Sequence, residues 1–182
     1  LQGDMGTSYI TDIPVATTFW QALPYTLRIA GSAMAFTLLI SLPLGIMIAA
    51  WHNSRMDYGI RTLTFIGNAT PSFIIAIVLM FVFSYRLGWI PVLAPTKPIG
   101  MILPSATLAL VMSSRYIRQI RAAALDELAK NYVIGLRARG ITERVILFRN
   151  VLKNIMVIVI TLTGISVGSL LGGTVIIETI FN

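Results

Sequence analysis

The chain has 182 residues, of which 56% are hydrophobic and 12% charged, with a formal net charge of +7 and no cysteine. A composition this apolar, with a mean hydropathy of +0.82, excludes a soluble domain of this size and places the chain in a bilayer. The missing cysteines exclude a disulfide framework and a thiolate metal site. The positive charge lies between apolar stretches, where it sets membrane orientation and does not indicate nucleic-acid binding.

Leu1 to Pro24 is polar and glycine-rich, with two acids and no cation, and reads as an extracytoplasmic segment reaching to residue 26. A first span is expected over Leu27–Trp51. At 1.5 Å per residue it measures about 37 Å, enough to cross a hydrocarbon core of about 30 Å with some tilt. Pro43 predicts a kink, Arg28 can snorkel at the outer end, and Trp51 marks the inner interface. His52 to Arg61 reads as a short cytoplasmic loop. His52, the only histidine, has no second imidazole or thiolate to join it and reads as a solvated side chain. A second span is expected over Phe65–Tyr85, with Pro71 in its first turns, followed by an outer loop from Arg86 to Pro98 anchored by Trp89. Ile99 to Ser113 forms a third span that continues directly into a helix from Ser114 to Arg139.

That helix opens the most informative stretch, Arg115 to Lys153, which holds nine of the fourteen Lys/Arg and three acids. Gly140 stops the helix in a left-handed turn. Thr142 restarts it, its hydroxyl capping the new first turn, where Glu143 complements the dipole. Val133, Leu136 and Ile141 surround the turn, and apolar residues at an aqueous loop tip suit a partner's groove. The fourth span, Ile155 to Ile177, carries Gly164, Gly168 and Gly172 at four-residue spacing on one face. That face can admit a close helix neighbour, with Ser166 and Ser169 adding interhelical hydrogen bonds, or can line a narrow pathway. Glu178 emerges near the outer end, in the segment 178–182, as a lure for a cationic cargo, a cap, or a solvated residue. Eleven cations on the two inner loops against three outside orient both ends of the chain outward. Both ends look cut, with one further span expected on each side.

The run LDELAKNYVIGLRARGITERVILFRNVLKN resembles the EAA loop of the membrane-spanning subunits of binding-protein-dependent ABC importers, in the dipeptide, oligopeptide and nickel permease class. The matching positions are Leu125, Asp126, Leu128, Asn131, Tyr132, Val133, Leu136, Arg137, Ala138, Arg139, Gly140 and Ile141, then Arg149 and Asn150. Leu136 stands where the class usually has Ala, Asn131 where it has Asp, and Val157 where a Pro often follows. Gly3, Asp4, Gly6 and Ser8 fit a stretch that in this class links the first two spans.

The resemblance implies an all-α polytopic membrane helix bundle of the importer permease fold, with about four spans in the transmembrane domain 27–177 and a cytoplasmic coupling loop at 114–153. It implies a multi-pass inner-membrane permease moving nickel, a nickel chelate or small peptides. The short outer loop leans toward nickel. A second permease, nucleotide-binding ATPase subunits, an extracytoplasmic binding protein and membrane lipid are the implied partners. The ATPase contact would fall on Tyr132, Val133, Leu136, Arg137, Ala138, Arg139, Gly140, Ile141, Thr142 and Glu143. The chain has no G-x-x-x-x-G-K-[ST] loop, so ATP and Mg would be bound by the partner ATPase and no catalytic residue is expected here. One His, no Cys and scattered Met predict no high-affinity metal site. A passive channel or assembly scaffold without an ATPase is the alternative. An intramembrane hydrolase lacks a base at membrane depth.

Overall fold

In a computed structural model the described residues are 5–9, 12–91 and 98–181. The elements are α1 (Val15–Ala50), α2 (Arg55–Ala69), α3 (Ser72–Leu79) running on as π-helical turns over Met80–Arg86, a 3-10 turn (Pro98–Met101), α4 (Ile102–Leu128), α5 (Asn131–Ala138) and α6 (Glu143–Val145). A π-helical stretch, Ile146–Val151, joins α6 to α7 (Leu152–Phe181). Apart from one isolated bridge between Thr7 and Pro14, every regular element among the described residues is helical.

α4 is the centre of the bundle and packs against α1, α2, α3 and α7. Side-chain pairings set the directions. Ser32 meets Ser105 at 2.6 Å and Gly45 lies against Ile117 and Ile120, so α1 and α4 run parallel. Asp57 meets Arg121 and Gly67 meets Ser114, so α2 runs the other way. Glu127 meets Asn154, and Ser166 and Leu170 share a cavity with Leu108 and Met112, so α7 likewise runs antiparallel to α4. The basic residues of α4, the α1–α2 turn and the loop before α7 therefore gather at one end, the basic end.

The α1–α4 contact has a simple cause in the sequence. Ala33, Thr37, Ser41, Gly45 and Ala49 recur every four residues, which on a helix is one face. Ala33, Thr37, Ser41 and Ala49 are all 0% exposed, and Gly45 is buried with them. In lipid, helices associate by close van der Waals packing and not by expelling water, so a row of small residues is what lets two backbones approach. Thr37 meets its own polar need by donating to the Ala33 carbonyl at 2.8 Å. Large apolar side chains point outward instead, as with Leu39 (70% exposed) and Ile160 (64%). The expected glycine row on the last span is different: a Cβ added at Gly164 or Gly168 would meet nothing within 4 Å in this chain. The environment of Gly172 and the side chain of Glu178 lie outside what is described.

Several boundaries depart from the sequence reading. α1 begins at Val15, twelve residues before the expected start, and runs through Pro24 and Pro43, so part of the expected outer segment is helix. It is 36 residues long; at 1.5 Å per residue this is about 54 Å. The inner loop shrinks to the turn before Arg55, because the Ser54 side chain accepts the Asp57 amide at 3.2 Å and starts α2. The expected second span is broken. Thr70 is extended (φ −83°, ψ 125°) because a residue before proline is disfavoured in the helical region, and the chain turns by 104° between α2 and α3. By length and composition two helical stretches can cross a membrane, Val15–Ala50 and Glu143–Leu170, or three if the bent pair counts as one. The expected third span falls on the first half of α4, which is not among these stretches and carries Arg115, Arg118 and Arg121 farther along.

Candidate functional site at the basic end

α4 does not continue to Arg139 as expected. It ends at Leu128, Lys130 is extended (φ −72°, ψ 147°), and α5 starts at Asn131. The break lets three elements meet on one carboxylate. Tyr132 donates its hydroxyl to Glu127 Oε1 at 2.9 Å, Asn154 donates Nδ2 to the same oxygen at 2.7 Å, and Lys130 Nζ lies 2.6 Å from Oε2. Glu127 is only 7% exposed. It thus ties the end of α4 to α5 and to the start of α7.

The Lys130 ammonium holds the Glu127 carboxyl below its ordinary value, helped by the Asn154 and Tyr132 donors and opposed by burial. Burial, with the neighbouring carboxylate, raises the Tyr132 phenol, so it stays a donor at neutral pH. A carboxyl depressed in the folded state adds stability above its unfolded value of 4.5 and loses it as pH falls through the lower folded value. Glu127→Gln should therefore lower stability by about 2 kcal/mol at neutral pH and weaken its dependence on pH below about 4.5. Thermal unfolding of the two proteins in nanodiscs across pH 3 to 7 checks this, and parallel curves would refute it.

Gly140 behaves as its sequence position demands, with φ +75°. Its amide donates to the Arg137 carbonyl at 2.9 Å and the Ile141 amide to the Leu136 carbonyl at 3.2 Å, the paired bonds that close a helix through a left-handed residue. Thr142 is extended and its carbonyl accepts the Ile146 amide, but its hydroxyl makes no capping bond, contrary to expectation. Glu143 is held across the turn by Arg137, with Nε to Oε1 at 2.6 Å and Nη2 to Oε2 at 3.3 Å. Both partners are roughly half exposed, so the pair orients the turn more than it stabilises it.

The apolar residues around the turn face inward. Val133 is 0% exposed, and Leu136 and Ile141 pack against the core. The tip presents Ile134 (58% exposed), Ala138, Arg139, Gly140 and Thr142, with Val145 and Phe148 beyond. Beside it a groove of about 640 Å³ runs between the end of α1 and α6, lined by Pro43, Met47, Trp51, Arg137, Glu143, Arg144 and Phe148.

A third ion pair at this end has no local signature in the sequence that couples its partners. Arg121 grips Asp57 with two parallel bonds, Nε to Oδ1 at 2.7 Å and Nη2 to Oδ2 at 2.6 Å, and the Asn53 amide adds a third at 3.0 Å. Asp57 is wholly buried. The available signal was the spacing Ser54-x-x-Asp57 and the fact that Asp57 is the one acid in His52–Arg61. His52 lines a small pocket with Leu128, Arg137 and Glu143. Among the described residues no three of His, Asp and Glu gather as a metal site would require.

Residues 41–182 match the family described as binding-protein-dependent transport system inner membrane component. The chain belongs to this family and is a multi-pass inner-membrane protein. Over all 182 residues it is 33% identical to the glutathione transport system permease protein GsiC of Pectobacterium atrosepticum, 34% to that of Salmonella typhimurium and 32% to that of Escherichia coli K12. It spans 60% of the length of each of these relatives.

Proposed function

We propose that this chain is the core of a permease subunit of an ABC importer for small peptides, with its basic end in the cytoplasm. The observation that carries the reading is the tip formed by α5, the Gly140 turn and α6. It offers exposed apolar and cationic groups outward while Glu127 and Val133 fasten it to α4 and α7. A nucleotide-binding ATPase docked there would bind ATP and Mg and supply the energy. This chain would receive the push at Ile134, Ala138, Arg139 and Thr142, and α4, one unbroken helix from Ile102 to Leu128, would carry it into the bundle. A second permease would complete the pathway, with Gly164 and Gly168 on a face open to it, and an extracytoplasmic binding protein would deliver cargo. Peptide cargo is favoured over nickel by the glutathione permeases that resemble the chain along its whole length, glutathione being itself a tripeptide.

Gly140→Val tests the loop. A non-glycine residue at positive φ costs about 1–2 kcal/mol, and a β-branched one more, so the turn should open and the tip lose its shape. The expected result is a complex of normal yield in which peptide-stimulated ATP hydrolysis and uptake both fall at least tenfold. Full uptake in this variant would remove the loop from the coupling path. Uptake without any ATPase subunit would favour the passive channel.

A further inference from the structure

Two of the three arginines of α4, Arg115 and Arg118, have no carboxylate partner among the described residues, and Arg115 is the one nearer the apolar half of the helix. Arg115 makes no hydrogen bond or ion pair among the described residues, whereas Arg121 and Arg137 are both clasped by carboxylates. It lies six positions before Arg121, about 9 Å deeper along the helix axis. Its side chain is exposed in this chain and can reach the open space beside the helix.

Arg115 lines a partly open cavity of about 220 Å³, bordered by α4, α7 and the break between α2 and α3. Asn68 and Ser72 reach it from the two sides of the break, and Ser166 and Ser169 from α7. Ser169 spends its proton on the Ser166 carbonyl. The Asn68 amide and the Ser72 and Ser166 hydroxyls have no partner among the described residues, although Ser166 is only 6% exposed. Arg115, Asn68, Ser72 and Ser166 thus bring one cation and three hydrogen-bonding side chains, all without a partner among the described residues, to a single cavity that a polar guest can use. The break contributes too: the bonds of the first turn of α3 begin with the Ile74 amide, so the amides of Ser72 and Phe73, at the positive end of that helix, stay free. Broken helices of membrane transporters use such ends to meet anionic groups of a substrate.

We infer that this cavity is a passage site for the carboxylate end of the cargo, with Arg115 as the counter-charge and Asn68, Ser72 and Ser166 as hydrogen-bonding partners. The inference rests on the peptide-importer reading. A cavity of this size admits a terminal residue with its carboxylate, not a whole tripeptide, so cargo passes it end first.

The test is uptake of glutathione and of trialanine by the complete transporter in proteoliposomes. Arg115→Gln should assemble in normal yield and lower uptake of both at least tenfold, while Arg115→Lys, which keeps the charge, should retain at least half. Arg118→Gln, one helical turn on and lining a different surface pocket with Tyr58 and Arg61, should leave uptake unchanged. Wild-type uptake by Arg115→Gln overturns the site, as does a loss that Arg115→Lys fails to rescue or that Arg118→Gln shares. If the wild-type transporter moves neither compound, the peptide reading itself fails.

Discussion

Replacing Asp57 with alanine should lower the stability of the assembled permease by about 3–5 kcal/mol, the range found when one member of a buried ion pair is removed. The size follows from what is left behind. Arg121 is 16% exposed and loses both of its bonds, so a guanidinium stays in a poorly hydrated position with no anion. The Asn53 amide loses its acceptor as well, in a turn where Asn53 sits at φ +61°. Because the pair is the main polar tie between the start of α2 and α4, the early loss should be α2 docking. Removing both charges should be much milder. Asp57→Leu with Arg121→Met replaces the pair by apolar groups of similar bulk, an exchange that is often neutral or stabilising. Thermal unfolding in nanodiscs should rank wild type and the double variant together and Asp57→Ala far below. Equal stability for all three would mean that the pair contributes nothing.

Gly45→Leu should be the most damaging apolar substitution in the bundle, at about 3 kcal/mol, the upper part of the range for overpacked cores. A Cβ alone at this position would lie 2.6 Å from Ile120 Cγ2 and 3.3 Å from the Ile117 carbonyl oxygen. Neither α1 nor α4 can yield locally, because the same face is closed above and below by Ser41 and Ala49. Ile120→Ala should recover part of the loss by vacating the space that the leucine needs. The contrast is Gly168→Leu, where an added Cβ meets no atom of this chain within 4 Å. Unfolding of the isolated chain should therefore register the change at Gly45 and ignore the one at Gly168. A comparable loss at both positions would contradict the packing described.

The difference between these two glycines shows what could be read beforehand. A spaced glycine row says that a helix face is flat but does not say what lies on it. The row on α7 was conspicuous because all three members were glycine. The row that carries the fold mixes Ala, Thr, Ser and Gly, and its meaning appears only once α4 is laid against it. The Gly140 turn was legible because its cause is local: a helix end that needs a positive φ names its own residue. The basic stretch and the all-helical class were legible for the same reason, since charge and hydropathy are properties of segments. The Asp57–Arg121 pair joins residues 64 positions apart, and no local pattern couples them. The break at Thr70–Pro71 was hidden by composition, because Phe65–Tyr85 reads as one apolar stretch whether or not it bends. From the sequence Val133 reads as a surface residue because it adjoins an exposed turn, yet it is buried. Its burial depends on the fold-back of Tyr132 onto Glu127.

The π-helical stretch Ile146–Val151 bears on how the tip and the last helix are geared. A π turn holds one residue more than an α turn. Relative to an unbroken α-helix of the same sequence, everything after it is displaced by one residue, which is about 100° of rotation and about 1.5 Å of rise. The azimuth at which α7 presents Gly164 and Gly168 is therefore set by the winding next to the tip and not by any residue of that face. Tightening or adding a single turn there would swing the whole of α7 by a discrete angle, so that a small change in pitch at one end becomes a change of facing at the other.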